Sequence, residues 1–425
     1  MMRILYVLLT YLLAPVVIGM EGWKALWNPE YRGRLSQRLG IVPPQATPGC
    51  VWVHAVSVGE VQAAAGLIQS LKGRFPALQV VITTVTPTGA QRARALFGDK
   101  VRHCYLPYDL PGPVRRFLDR IRPQVAIILE TEIWPTLYDA LGRRHIPLVM
   151  ASARVSTRSV DRYRRMASLF KETLSHGILI GAQTPADAER FRAIGAAADR
   201  VRVTGNVKFD MDIPSSTIAA GREFRGRCGA DRPVWIAGST HEGEEEAALA
   251  AHALVRARHP QALLILVPRH PQRFEVVRNL LRKRGNAFAQ RSAGEVPAAT
   301  HDTFLLDTLG ELQMFYAAAD VAFVGGSLVP IGGHNLLEPA VLGMPLLSGP
   351  YTHNAQDIAD LLQQCGALHI VRSGLELAQR VGSYFDDPER ARANGAQGQQ
   401  TVAQSRGAVD RLCAMVVPLL SRPGA

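Results

Sequence analysis

Apolar positions fall along this chain in a repeating rhythm. From Cys50 onward, short runs rich in Val, Ile and Leu alternate with longer stretches that are apolar on one helical face only. An unbroken apolar run of about 4–8 residues reads as a strand buried on both sides, and its alternation with amphipathic helices predicts βαβ units and parallel sheets. Strands are expected at CVWVHAV, LQVVITTVT, VRHCYLPY, QVAIILE, IPLVMAS, GILIGAQ and VRVTGN. Helices such as GEVQAAAGLIQSLKGRF and TLYDALGRR lie between them. The rhythm breaks from about Asp210 to Pro233, then resumes with PVWIAGST, ALLILVPR, TFLLD, VAFVGGS and PLLSGP. A final stretch, from about Glu389 to Leu420, is helical in pattern with no strand after it. The fold class is therefore α/β, with two doubly wound halves. The expected limits are a domain over 23–212, a linker over 213–232, a second domain over 233–395, and a C-terminal helix over 396–425 packing back across both.

The segment before this region follows a different pattern. Ile4 to Met20 is an almost continuous apolar run behind Arg3. It is slightly short against the roughly 20 residues usual for a membrane span, but within the tolerated range. A cleaved signal peptide would share the basic start and apolar core, yet the small-residue cleavage site is missing. Trp23 and Trp27 follow where an interfacial aromatic belt belongs, and Lys24, Arg32, Arg34 and Arg38 come next. These features predict an uncleaved single-pass anchor over residues 1–22, with the cations holding the rest on the cytoplasmic side of the membrane.

Composition narrows the choice of partner. The 425 residues suffice for two cores. Lys and Arg exceed Asp and Glu by 48 to 36, a net charge of +12 that favours an anionic partner. Aromatic residues make up only 7%, and no aromatic-studded basic run suited to stacking bases is present, so nucleic acid is not expected. Cys50, Cys104, Cys228, Cys365 and Cys413 are scattered, with no CxxC pair. That pattern suggests unpaired thiols and neither a disulfide framework nor a thiolate zinc site.

Ligands of doubly wound sheets bind beyond the carboxyl ends of the strands, so candidate chemistry is sought at strand-to-helix junctions. The first is His54-Ala55-Val56-Ser57-Val58-Gly59-Glu60. Ser57 followed three residues later by Glu60 fits a capping box. The same Glu60 suits a general base at the mouth of the sheet. A serine nucleophile at Ser57 is disfavoured, because no oxyanion loop of the HGGG type precedes it. The second junction, Glu130-Thr131-Glu132-Ile133-Trp134-Pro135, sets two acids and an indole at a strand end. Burying them would be costly, which argues that they face a cleft. Arg158, Arg162 and Arg165 recur on one helix face, with Arg154, Arg164 and Lys171 nearby. They read either as solvated charge or as a contact for anionic lipid.

In the second half, Gly238-Ser239-Thr240-His241-Glu242-Gly243-Glu244-Glu245 follows a strand and opens a helix, a setting in which free N–H groups meet a phosphate. Arg269 and His270 close the next strand, where Arg suits a phosphate through paired hydrogen bonds or else a structural ion pair. Gly325-Gly326-Ser327 and Gly332-Gly333-His334-Asn335-Leu336-Leu337-Glu338-Pro339 form a glycine-rich loop before a helix. Such a loop permits close approach of a nucleotide, with Glu338 placed to meet ribose hydroxyls. Neither a dinucleotide fingerprint nor a Walker lysine accompanies it.

Seven ordered blocks, HAVSVGE, ETEIWP, GNVKFD, AGSTHEGEE, VPRHPQRF, GGSLVPIGGHNLLEPA and GPYTHN, resemble those of the Kdo (3-deoxy-D-manno-octulosonic acid) transferases of lipopolysaccharide assembly. The resemblance spans nearly the whole chain, anchor included. It implies a GT-B architecture of two Rossmann-like domains facing a cleft, CMP-Kdo as donor, and a lipid A precursor (lipid IVA) as acceptor. It also implies inversion at the anomeric carbon with neither metal nor cofactor, and residence in the inner membrane. Carried over by motif, Glu60 resembles the catalytic base and Glu130 a second functional acid. Lys208, Ser239, Thr240, Arg269, Gly333, Asn335, Glu338 and Asn354 fall among the donor contacts. Arg154, Arg158, Arg162 and Arg165 would serve acceptor or membrane. Some retaining enzymes of this architecture carry two glutamates eight positions apart near the last helix; Pro330 and Leu346 flank Glu338 here, which suits inversion. The rival readings are a nucleotide-sugar epimerase, a serine hydrolase on Ser57, and a non-catalytic membrane-surface protein.

Overall fold

The computed structural model describes residues 2–27, 31, 34–44, 47–155, 167–174 and 177–420. The chain divides into two compact units, one of Met1–Asp210 with Ser405–Ala425 and one of Met211–Gln404. Each is built on a seven-stranded, wholly parallel sheet. In the first unit the strands are β1 (Cys50–His54), β2 (Val80–Thr84), β3 (Arg102–Tyr105), β4 (Pro123–Leu129), β5 (Leu148–Ala153), β6 (Leu179–Ala182) and β7 (Val201–Val203). Their spatial order is β3-β2-β1-β4-β5-β6-β7, so the direction of winding reverses between β1 and β4.

The second unit holds β8 (Val234–Thr240), β9 (Leu263–Pro268), β10 (Phe288–Gln290), β11 (Thr303–Leu305), β12 (Val321–Val324), β13 (Leu346–Ser348) and β14 (Leu368–Ile370). The order β10-β11-β9-β8-β12-β13-β14 places its reversal between β8 and β12. Both sheets are buried on both faces, which is why their strands read as continuous apolar runs. Alternate residues supply opposite cores: Val51 and Val53 of β1 join one cluster, Cys50 and Trp52 the other. In β8, Trp235 and Ala237 separate from Val234 and Ile236 in the same way.

All seven strands expected in the first half are present. In the second half β10 and β14 were not anticipated; both are three-residue edge strands. The stretch 213–232, expected as a linker, contains the helix Ser215–Cys228, whose Phe224 packs edge-on against Phe315 of the second unit. The closing helical stretch is two helices, Pro388–Gln404 in the second unit and Ala408–Leu420 in the first. Gly407, at φ +92°, allows the turn between them. Leu412, Cys413, Met415 and Val416 of the last helix join the core beneath helix Val58–Arg74. Asp210 holds that helix's start, accepting from the N–H groups of Gly407, at 2.6 Å, and Val409.

The apolar N-terminal run forms one helix, Met2–Trp27, long and apolar enough to cross a membrane. Of the cations expected to orient it, Arg34 and Arg38 are buried in the first unit. Arg34 donates to the carbonyl of Val85 and Arg38 to that of Leu106. Both also lie over aromatic rings, Arg34 against Tyr105 and Arg38 against Tyr108.

Candidate active site

Both acids of the first unit sit where its winding reverses. Glu60 opens the helix after β1, and Glu130 directly follows β4, the strand paired with β1. That position is the crevice at which doubly wound sheets bind their ligands. The Glu60 carboxylate turns back over the strand end, accepting from the Val56 N–H at 2.7 Å and from the Ser57 hydroxyl at 3.3 Å. The expected capping box does not form: Ser57 makes no side-chain cap to the helix and donates to Glu60 instead, and the Glu60 carboxylate takes the N–H of Val56, one residue before the cap. Burial pushes the Glu60 carboxyl up to about 7, with smaller pushes in the same direction from Glu130 and Glu132, opposed by the Val56 N–H. A carboxyl group titrating there is matched to proton transfer near neutral pH.

Glu130 has a left-handed backbone, φ +57°, which is costly for a residue with a Cβ and is found where a site over-determines the chain. Its carboxylate meets the Lys208 ammonium at 2.6 Å, and both side chains are about one-third exposed. A polar web at the ends of β5, β6 and β7 sets the lysine in place. Ser152 donates to Asn206 Oδ1 at 3.3 Å, and the same oxygen receives the Lys208 N–H at 3.0 Å. Gln183 bonds the Ser152 carbonyl at 2.9 Å. The structure thus pairs Lys208, expected among donor contacts, with Glu130 within the first unit. Burial also raises the Glu132 carboxyl, so three acids share this edge with one ammonium among them. Arg154 directly follows β5 and is tied through its backbone to Thr131, whose hydroxyl accepts its N–H at 3.0 Å. Arg158, Arg162 and Arg165 lie outside the described residues.

The second unit gathers its candidates at the reversal between β8 and β12. Ser239, again left-handed at φ +57°, and Thr240 end β8, both buried. The Thr240 hydroxyl is spent on the Val267 carbonyl at 3.3 Å. Arg269 follows β9, held by its N–H to the Thr240 carbonyl at 2.9 Å, with its guanidinium exposed. Gly332 and Gly333 both donate to the Gly326 carbonyl, at 3.0 and 2.7 Å. Asn354 braces this loop, its amide donating to the carbonyls of Ile331 and Gly333 at 3.1 and 3.3 Å. Asn335 starts the short helix Leu337–Val341 by accepting from the Leu337 N–H at 3.0 Å, and Glu338 lies 3.3 Å from its amide. Gly333, Asn335, Glu338 and Asn354 therefore build one loop, whose inner bonds employ Asn354 and Asn335.

Two features of this edge escaped the sequence reading. The first is Glu244, fully buried, whose carboxylate accepts four backbone N–H groups: His241 at 2.9 Å, Gly326 at 2.6 Å, Ser327 at 2.9 Å and Leu328 at 2.9 Å. Of the amides at this junction expected to face a phosphate, that of His241 is taken by the protein's own carboxylate, which also fixes the glycine loop in shape. The Cβ of any residue but glycine at 325 would stand 2.9 Å from that carboxylate and 2.7 Å from the Ser239 carbonyl. The second is a histidine group. His241 and His334 stack with Nε2 atoms 2.8 Å apart, and His270 meets His241 edge-on. Burial lowers His334 to about 3, with Arg269 adding to the shift. Burial lowers His241 as well, and Arg269 stands exposed beside the pair. The only sequence signal for Glu244 was its place in a helix's first turn, since three of its four partners lie over 80 residues away.

Two parallel Rossmann-like sheets, each with polar side chains collected at its reversal, define a protein of the GT-B architecture. A glycosyltransferase from Rickettsia africae superposes with a TM-score of 0.57 at 11% identity, covering 89% of this chain and 100% of that one. The UDP-GlcNAc 2-epimerase from Neisseria meningitidis does so at 0.56 and 14%, covering 88% and 100%; both likenesses concern the fold alone. Residues 33–211 match the family described as 3-deoxy-D-manno-octulosonic-acid transferase (kdotransferase). The chain is 38% identical to the 3-deoxy-D-manno-octulosonic acid transferase of Haemophilus influenzae, over 99% of this chain and 100% of that one. It is also 38% identical to the enzyme of the same name from Bordetella pertussis, over 91% and 90%. The chain belongs to the Kdo transferase family.

Proposed function

We propose that the protein transfers Kdo from CMP-Kdo to the lipid A precursor lipid IVA, with inversion and without metal or cofactor, and that Glu60 is the general base. In this reading Glu60 removes the proton of an acceptor hydroxyl as its oxygen bonds to the anomeric carbon of Kdo. The bond from that carbon to the CMP phosphate oxygen breaks, and the pair of electrons leaves with CMP. Attack from the face opposite the leaving group inverts the centre. The observation that carries the reading is the Glu60 carboxyl, pushed up to about 7 at the strand reversal and fixed by the Val56 N–H. A base of that strength is deprotonated at working pH yet retains proton affinity.

Glu130, with its charge balanced by Lys208, orients the acceptor beside the base. Ser239, Thr240, Arg269, Gly333, Asn335, Glu338 and Asn354 frame the donor edge, where the Arg269 guanidinium meets the phosphate and the glycine loop admits the nucleotide. A phosphorylated lipid acceptor agrees with the +12 net charge and the apolar helix; in this reading the enzyme works on the cytoplasmic side of the inner membrane. Neither nucleic acid nor a resident cofactor enters this scheme.

The test is the mass of the lipid after incubation with CMP-Kdo, for the wild type and for Glu60→Ala. Addition of Kdo by the wild type alone, with CMP binding retained in the variant, is the expected result. Equal product from the variant would remove Glu60 as base, and an unchanged lipid with the wild type would remove the acceptor.

A further inference from the structure

The N-terminal helix could cross a bilayer on length alone, yet polar contacts tie both of its ends to the first unit. Arg3 pairs with Asp139 on helix Pro135–Arg143. One turn further on, the Tyr6 hydroxyl donates to Asp109 at 2.9 Å. Near the other end, Glu21 lies 3.6 Å from the buried Arg34. At about 1.5 Å per residue, Arg3 and Glu21 are separated by about 27 Å along the axis. A hydrocarbon core is about 30 Å thick. A helix that crossed it from Glu21 would carry Arg3 and Tyr6 to the far face, away from Asp139 and Asp109. The docked arrangement and a crossing exclude each other.

The distribution of side chains agrees with docking. Arg3, Tyr6, Thr10, Ala14, Ile18 and Glu21, three or four apart, form a half-buried stripe against the first unit. Leu5, Leu8, Leu12, Val16, Trp23 and Trp27 stay exposed on the remaining surface, Leu12 by 74%. Lys24 is exposed beside the two indoles. An apolar face edged by tryptophan and lysine is the form of a helix lying in the plane of a lipid surface, sunk about 5–10 Å into it. Orientation by flanking charge is also weaker than the sequence suggested, because Arg34 and Arg38 are committed to the Val85 and Leu106 carbonyls.

We infer that the helix is an in-plane anchor: its exposed apolar face enters the acyl chains of one phospholipid leaflet, and its N-terminus stays on the same side of the membrane as the rest of the chain. This rests on the membrane-bound reading above and replaces the single pass expected from the sequence. It also brings the lipid surface to the acceptor edge. Asp109, which receives Tyr6, accepts from the N–H groups of Thr136 and Leu137 at 3.0 and 2.8 Å, so it caps the helix that follows Glu130–Trp134. The contact that docks the anchor is therefore one residue pair from the loop bearing the second acid.

The experiment uses the full chain with one protease-cleavable epitope ahead of Met1 and another after Ala425, in sealed inner-membrane vesicles of both orientations. Protease added outside inverted vesicles is expected to remove both epitopes, and in right-side-out vesicles neither before detergent. Cleavage of the N-terminal epitope only from the face opposite the C-terminal one would overturn the in-plane anchor while leaving the membrane reading intact. Recovery of the chain in the soluble fraction would overturn the membrane reading and this inference together.

Discussion

Replacing Glu244 by glutamine should damage the second unit far more than a one-atom change suggests. Each carboxylate oxygen accepts two N–H groups, one pairing Ser327 with Leu328 and the other His241 with Gly326. A glutamine keeps one acceptor oxygen and presents an NH2 to the other pair, so either orientation leaves two buried amides facing a donor. At about 1–3 kcal/mol for each stranded group, the cost is about 2–6 kcal/mol. The unit runs from Met211 to Gln404. A domain of that size loses about 2–4 °C per kcal/mol, so its melting transition should fall by roughly 4–24 °C. Because either orientation strands at least one amide of the glycine loop, the KM for the donor should rise by at least about tenfold, equivalent to about 1.4 kcal/mol. Calorimetry and initial rates over a donor series read the two effects. Glu246→Gln, an exposed acid of the same helical turn, is the control and should stay within about 0.5 kcal/mol. If Glu244→Gln melts with the wild type and keeps its donor KM, the clamp is not what holds the loop.

Other consequences can be checked with similar variants. Since the base must be deprotonated, kcat/KM should climb with pH and level off above about 7, and Glu60→Gln should lose about 100- to 10,000-fold in kcat with CMP affinity unchanged; a wild-type profile flat between pH 5.5 and 8 would contradict this. The raised Glu60 carboxyl keeps its proton in the folded state at pH values where the unfolded chain has lost it. Stability from this group is therefore greatest at low pH and declines as pH rises from the ordinary carboxyl range through about 7, so Glu60→Gln should gain stability relative to wild type at pH 8 and not at pH 4. Lys208→Met and Glu130→Gln should each lower kcat/KM, and the double variant should reveal a coupling of about 1 kcal/mol, modest because both groups are partly solvated; strict additivity would dissolve the pair. Gly395→Ala should destabilise the second unit by more than about 2 kcal/mol, because the new Cβ would stand 1.8 Å from the Gly343 carbonyl oxygen; at an uncrowded helical position the same change stabilises by about 0.5–1 kcal/mol, so the sign alone decides.

The fold was readable wherever burial on both faces wrote a long apolar run, as in β4 and β8, and it faded at the sheet edges. Phe288–Gln290 and Leu368–Ile370 each pair with a single neighbour over three residues, too few for a run to register. The acids at the first reversal were legible because Glu60 and Glu130 end apolar runs, where a charge is conspicuous. The pairing of Lys208 with Glu130 was not legible, because a motif names a residue but not the direction of its side chain. Glu244 was hidden for a deeper reason. Its partners are backbone amides, which every residue possesses, so no side-chain pattern could mark the far half of the clamp. The anchor shows the same limit: hydropathy reports that Met2–Trp27 avoids water, whereas Tyr6 and Arg3 decide what it lies against.

The return of the chain to the first unit constrains how the protein can be made. Residues up to Asp210 leave the ribosome with the groove beside Val61, Ala64 and Ile68 still open, because the helix that fills it, Ala408–Leu420, is synthesised only after the whole second unit. The second unit, continuous from Met211 to Gln404, can finish folding in the meantime. The first half of the protein thus waits, already bearing its apolar N-terminal helix, for a plug nearly two hundred codons away. Translation that stops early yields a sound second unit joined to a first one with its core agape, the kind of exposed surface that cellular proteases recognise. Closure of that groove thus separates chains translated through Leu420 from chains released before it.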